Sequence, residues 1–99
     1  MEIKIQSIHF DATEKLQAFI EKKVAKLEKS YEDIKKVEVQ LKVVKPATAN
    51  NKEASITVTV AGNTFFVEKV SDTFEESIDL GVDSMKVQLQ KFKEKSRDY

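Results

Sequence analysis

The sequence predicts an α+β fold in two layers. The order is β-α-β-β-β-α, with a four-stranded mixed sheet carrying two helices on one face. Three observations carry this expectation. Three segments alternate apolar and polar residues with the period of a half-buried strand. Two others repeat apolar residues at helical spacing. The chain has 99 residues, a length that suits one domain of about 100 residues. A single domain over residues 1–99 is expected.

The first strand lies in residues 2–6, where Ile3 and Ile5 alternate with Glu2, Lys4 and Gln6. Asp11 stands three residues before Glu14, a capping-box-like spacing, and Thr13 is a second N-cap candidate. From there Leu16, Phe19, Ile20, Val24, Leu27 and Tyr31 form one apolar stripe, on a helix of about four to five turns. Val37, Val39, Leu41 and Val43 alternate with Glu38, Gln40 and Lys42 as the clearest strand, which the turn-rich Pro46–Asn51 ends. Ala54, Ile56, Val58 and Val60 alternate with Ser55, Thr57 and Thr59 as the third. Gly62-Asn63 marks a tight hairpin.

Thr64–Val70 reads as a fourth strand of open facing, because Phe65 and Phe66 are neighbours and take opposite faces. Asp72 and Glu75 repeat the capping-box-like spacing, and Phe74, Ile78, Val82, Met85, Leu89 and Phe92 then form a helical stripe. Gly81 within it costs about 1 kcal/mol relative to Ala, which points to close approach to the sheet or the first helix. A right-handed β-α-β crossover makes strands one and two parallel, and the later short connections suit antiparallel pairs. Packing both helices on one face leaves Lys4, Gln6, Gln40, Lys42, Thr57 and Thr59 on a wet face.

Composition excludes whole classes of chemistry. There is no Cys, hence no disulfide framework, Cys-ligated zinc, all-Cys iron–sulfur cluster or thiol catalysis. Two Gly and one Pro leave no room for a Gly-rich phosphate loop. No run approaches the roughly 20 apolar residues of a membrane span, and MEIKIQSIHFD has no signal-peptide pattern. A cytoplasmic protein without membrane association is expected. His9 is the sole histidine, too little for a catalytic triad or a transition-metal site. Asp72, Glu75, Glu76, Asp79 and Asp83 lack the loop of a calcium site, and a solvated helix face is the simpler reading. No enzyme signature, cofactor, metal or small-molecule substrate is implied.

Charge is balanced overall, 17 Lys+Arg against 17 Asp+Glu, but not locally. Residues 15–29 and 35–45 each carry +3, residues 68–83 carry −5 and residues 84–97 carry +4. Part of this complements the helix macrodipole. The lysines of the first helix also read as a solvated face, although Lys22, Lys23 and Lys26 have no acid three or four residues away. Three basic segments on elements that a two-layer fold can bring together favour a polyanionic partner.

The sequence resembles the short ribosome hibernation promoting factors, ribosome-associated inhibitors that bind idle ribosomes. The resemblance spans essentially the whole chain. It rests on Thr13-Glu14 with Leu16 and Phe19, on Lys23 with Ala25-Lys26-Leu27-Glu28, and on Val39-x-Leu41-Lys42-Val43-x-Lys45. It continues through Ile78-Asp79, Asp83, Gln88-Leu89 and the alternating Lys91, Lys93 and Lys95. It implies a fold similar to double-stranded RNA-binding domains with an added first strand. It also implies occupancy of the small-subunit channel for messenger and transfer RNA, with translation inhibited without catalysis, in the stress response and stationary phase.

Carried over by position, Lys23, Lys26, Lys42, Lys45, Lys91, Lys93 and Lys95 are the candidate contacts to ribosomal RNA. Lys22, Lys86 and Arg97 join them on charge alone. The sequence departs from the family at Val87 and Ser84, which stand where basic residues are common, and at Phe74, where Tyr is common. A short-form member is expected, without the second domain by which long forms pair ribosomes, and monomeric when free. The competing reading is a protein-interaction module of the same fold with a non-RNA partner, motivated by net neutrality and the acidic stretch 68–83.

Overall fold

The computed structural model describes residues 1–8, 11–44 and 51–97, with side chains up to Lys95. His9, Lys45, Pro46–Asn50 and Tyr99 lie outside the described residues, as does the Arg97 side chain. The elements are β1 (Glu2–Ile8), α1 (Glu14–Ala25), a 3-10 turn (Lys26–Lys29), β2 (Ile34–Val43), β3 (Lys52–Val60), β4 (Asn63–Ser71) and α2 (Phe74–Arg97). They form one four-stranded sheet in the order β1-β2-β3-β4. β1 and β2 are parallel, and the other two pairs are antiparallel. This is the expected mixed sheet with two helices.

The register sorts the side chains into two faces. Ile5, Val39, Ile56 and Val67 form one row across the four strands. Together with Val37, Val58, Leu41 and Ala54 they meet Ile20, Val24 and Leu27 from the first helical segment. Phe74, Ile78, Val82, Met85 and Leu89 of α2 complete this core. Each fully buried aliphatic contributes about 1.5–3 kcal/mol. The opposite face carries the row Lys4, Glu38, Thr57, Phe66 and the row Gln6, Gln40, Ser55, Glu68. The facing of β4 is thereby decided: Phe65 packs toward the core and Phe66 stands 56% exposed on the open face.

The helix boundaries differ in two places. The stripe ending at Tyr31 is not one continuous helix, because α1 stops at Ala25 and tightens into the 3-10 turn. The turn keeps Leu27 buried while the chain swings toward β2, a common ending for an α-helix. The start of α2 is capped one residue later than the Asp72 spacing indicates. Thr73 Oγ1 accepts from the Glu76 amide at 3.1 Å, just as Thr13 Oγ1 accepts from the Leu16 amide at 3.1 Å on α1.

Gly81 meets the sheet. A Cβ there would lie 2.9 Å from Ile56 Cδ1. Gly62 closes the β3–β4 hairpin with φ +80°, a backbone conformation that L side chains rarely adopt.

Candidate nucleic-acid interface

The topology decides which charges meet. Because β4 runs in the same direction as β1 and β2, α1 and α2 each return antiparallel to a strand of the same sense. The two helices therefore run parallel. Contacts between them confirm it: Lys23 meets Asp79, and further along both segments Tyr31 packs edge-on against Phe92 with centroids 5.7 Å apart. Both helix C-termini thus point to one pole of the molecule and both N-termini to the other.

This arrangement turns a neutral chain into a charge dipole. Residues 72–76, at the N-terminal pole, hold three acids and no base. Residues 22–36, which end α1 and lead into β2, hold six lysines against three acids. Residues 84–93 of α2 add Lys86, Lys91 and Lys93 without an acid. Cations at helix C-termini are also favoured by the helix dipole, each by about 0.3–1 kcal/mol at an exposed site.

Helical geometry places the individual lysines. Lys22, Lys26 and Lys29 recur at i, i+4, i+7 along α1 and the 3-10 turn, and all three are exposed. Asp79, Lys86 and Lys93 are seven residues apart, so they lie within about 40° of one another on α2. The Lys23–Asp79 bridge fixes that flank as the one facing α1. Lys93 agrees, lining a hollow with Tyr31, Glu32 and Asp33. Lys91 and Lys95 lie roughly 160° away from Lys93, on the other flank. The alternating 91-93-95 lysines therefore straddle α2.

Lys23 is the most constrained of the set. Its Nζ lies 2.8 Å from Asp79 Oδ1 and 5.6 Å from the centre of the Phe19 ring. The ammonium is held between a carboxylate and an aromatic face, in the groove between the helices.

Lys42 stands apart. It lies near the C-terminal end of β2, on the open sheet face, opposite Glu53 of β3. That is the far pole and the far side from the helix lysines. Of the described lysines of the 35–45 segment, Lys35 and Lys36 share the pole of the helix C-termini, Lys36 on the open sheet face, and Lys42 does not. Lys36 is shared with Glu38 at 3.7 Å. Lys29 and Lys35 join the basic pole although only charge counting marked them. The signal that finds them is topological: a residue ending the crossover helix and one opening a parallel strand share an end of the molecule.

Nothing in the site resembles a catalytic set. Among the described residues no three His, Cys, Asp or Glu side chains gather to hold a metal ion. A hollow on the open sheet face is lined by polar residues with Phe66. Among the described residues no helix is long and apolar enough to cross a membrane.

Residues 3–97 match the profile of the family described as Sigma 54 modulation protein / S30EA ribosomal protein. The chain belongs to this family. The family is ribosome-associated and non-enzymatic. A curated relative is the Ribosome hibernation promotion factor of Picosynechococcus sp., 33% identical over 98 residues. That alignment takes in 97% of this chain and 51% of the relative, so the chain spans about half the relative's length. The N-terminal domain of Thermus thermophilus Protein Y superposes with a TM-score of 0.80 at 26% identity, over 93% of this chain and 99% of that one. A ribosomal subunit interface protein from Coxiella burnetii shares the fold, with a TM-score of 0.82 at 22% identity over 94% and 98% of the two chains.

Proposed function

We propose that this chain is a ribosome hibernation factor. It binds the small ribosomal subunit in the messenger and transfer RNA channel and inhibits translation by occupying it. The observation that carries the reading is the lysine pole at the parallel helix C-termini, in a family that is ribosome-associated. Phosphates of ribosomal RNA would be met by Lys22, Lys26, Lys86, Lys91, Lys93 and Lys95. Lys23 would exchange the Asp79 carboxylate for a phosphate. No reaction is required. Binding is driven largely by release of counterions from the RNA, and it weakens steeply as salt rises. Such a factor acts in the cytoplasm as one copy per subunit, with no cofactor.

Sedimentation of purified protein with isolated small subunits, in low and raised salt, tests the reading. Co-sedimentation in low salt that is lost in raised salt is expected. A protein that stays at the top of the gradient in both overturns it. Lys91, Lys93 and Lys95 reversed together to Glu abolish binding if RNA is the partner and change little if it is not. The same subunits, saturated with messenger and initiator transfer RNA, exclude the protein if the channel is its site.

A further inference from the structure

We propose that the outward ridge of α2 docks a Lys/Arg-rich segment of a small-subunit protein, anchored by apolar side chains. The proposal rests on the ribosome-binding reading and goes beyond it to a second partner.

The ridge consists of Glu76, Leu80, Asp83, Val87, Gln90 and Glu94, alternating four and three residues apart along the side of the helix that faces away from the sheet. All six are exposed. The ridge has three carboxylates and no basic residue. Every described lysine of α2 falls instead on one flank or the other. A phosphate backbone laid along the ridge line would face its carboxylates and reach Lys86 and Lys91 only at its edges, so the ridge is the part of α2 least suited to RNA.

Two of its residues are also costly to leave in water. Leu80 is 44% exposed and Val87 is 50% exposed. Single exposed aliphatics are unremarkable on a protein surface. These two sit seven residues apart on one line, about 10.5 Å along the helix, and carboxylates bracket both. Asp83 and Glu94 take no ion-pair partner among the described residues, nor does Glu76. The composition complements a cationic segment whose apolar side chains cover Leu80 and Val87 while its Lys or Arg side chains reach the carboxylates. A second copy docking ridge to ridge is a poorer match, since both ridges carry the same sign, and a copy docking through its lysine pole is an outcome the test below separates.

The test uses the full chain with a photo-crosslinking residue at position 87, bound to intact isolated small subunits. A parallel variant carries it at position 26. The expected product at 87 is a crosslink to a basic segment of a small-subunit protein, identified by mass spectrometry. A crosslink from 87 to ribosomal RNA or to a second copy, or none at all, overturns the proposal. The variant at 26 reports separately on the ribosome-binding reading, since its crosslink to RNA is expected whether or not the ridge is occupied. L80Q/V87Q gives an independent readout. It is expected to bind intact subunits about tenfold more weakly and protein-free ribosomal RNA as the parent does. Equal loss on both, or no loss on either, contradicts the proposal.

Discussion

Lys23 Nζ and Asp79 Oδ1, 2.8 Å apart, join the end of α1 to the first third of α2. This ion pair answers the lack of acids near Lys23 in sequence, because its partner lies 56 positions further along the chain. Its side chains are 31% and 48% exposed, so the pair contributes little to stability, on the order of 0.2–1 kcal/mol. Its consequence is for binding. Asp79→Asn removes a competitor for the Lys23 ammonium. The variant should melt within a few degrees of the parent, bind small subunits more tightly at low salt, and show a steeper salt dependence, by roughly one released counterion. Titration at four salt concentrations measures this. Weaker binding by Asp79→Asn would show that the carboxylate positions Lys23 and does not compete for it.

A second prediction concerns Ser77, which is fully buried beneath the start of α2. Its hydroxyl donates to the Lys52 carbonyl at 2.6 Å, and that of Ser71 donates to the Thr73 carbonyl at 2.8 Å. The two hydroxyl oxygens are themselves 2.7 Å apart. The two hydroxyl protons can satisfy two of these three contacts at a time, and the set ties β3, β4 and α2 together at one corner. Ser77→Ala leaves the partly buried Lys52 carbonyl without this donor and should cost about 1–3 kcal/mol. For a chain of this length, each 1 kcal/mol lowers the melting temperature by about 4–8 °C.

The two glycines should respond in different ways. Gly62→Ala places a Cβ in open space but at φ +80°, so it should cost about 1 kcal/mol through backbone strain alone. Gly81→Val places its Cβ 2.9 Å from a methyl of the fully buried Ile56 and adds two further carbons, and it should cost about 1–3 kcal/mol. Chemical denaturation of the two variants measures both. A stabilised Gly81→Val would contradict the packing described here.

Phe92 ties the basic end of α2 to the rest of the fold. Its ring meets Tyr31 and Phe65 edge-on, at 5.7 and 5.2 Å between centroids. Phe92→Ala should destabilise by about 2–4 kcal/mol. It should also weaken subunit binding, because Lys91, Lys93 and Lys95 lose their fixed placement. Hydrogen exchange over residues 86–95 should rise before exchange in β2 does.

Much of this was legible in the sequence for identifiable reasons. Period-two alternation named strand faces correctly at Ile3–Ile5, Val37–Val43 and Ala54–Val60, because one-sided burial imposes that pattern. It left β4 undecided because Phe65 and Phe66 are both apolar and only pairing with Val58 and Thr57 assigns their faces. The break after Ala25 left no mark, since Leu27 keeps its helical phase while the backbone tightens. The charge segments were visible, but their convergence depends on helix direction. That follows from strand order, which places Lys42 across the sheet from the helix lysines.

RNA is expected to meet the lysine pole at the parallel helix C-termini, and not the open face of the sheet. This is tested most directly by the salt dependence of binding to isolated small subunits, comparing the parent with K26E/K86E/K93E and with Lys42→Glu. The triple variant should lose most of its affinity and about two to three units of log–log salt slope, while Lys42→Glu keeps the parent's slope. A triple variant with the parent's slope, or a Lys42→Glu variant that loses as much, would contradict it.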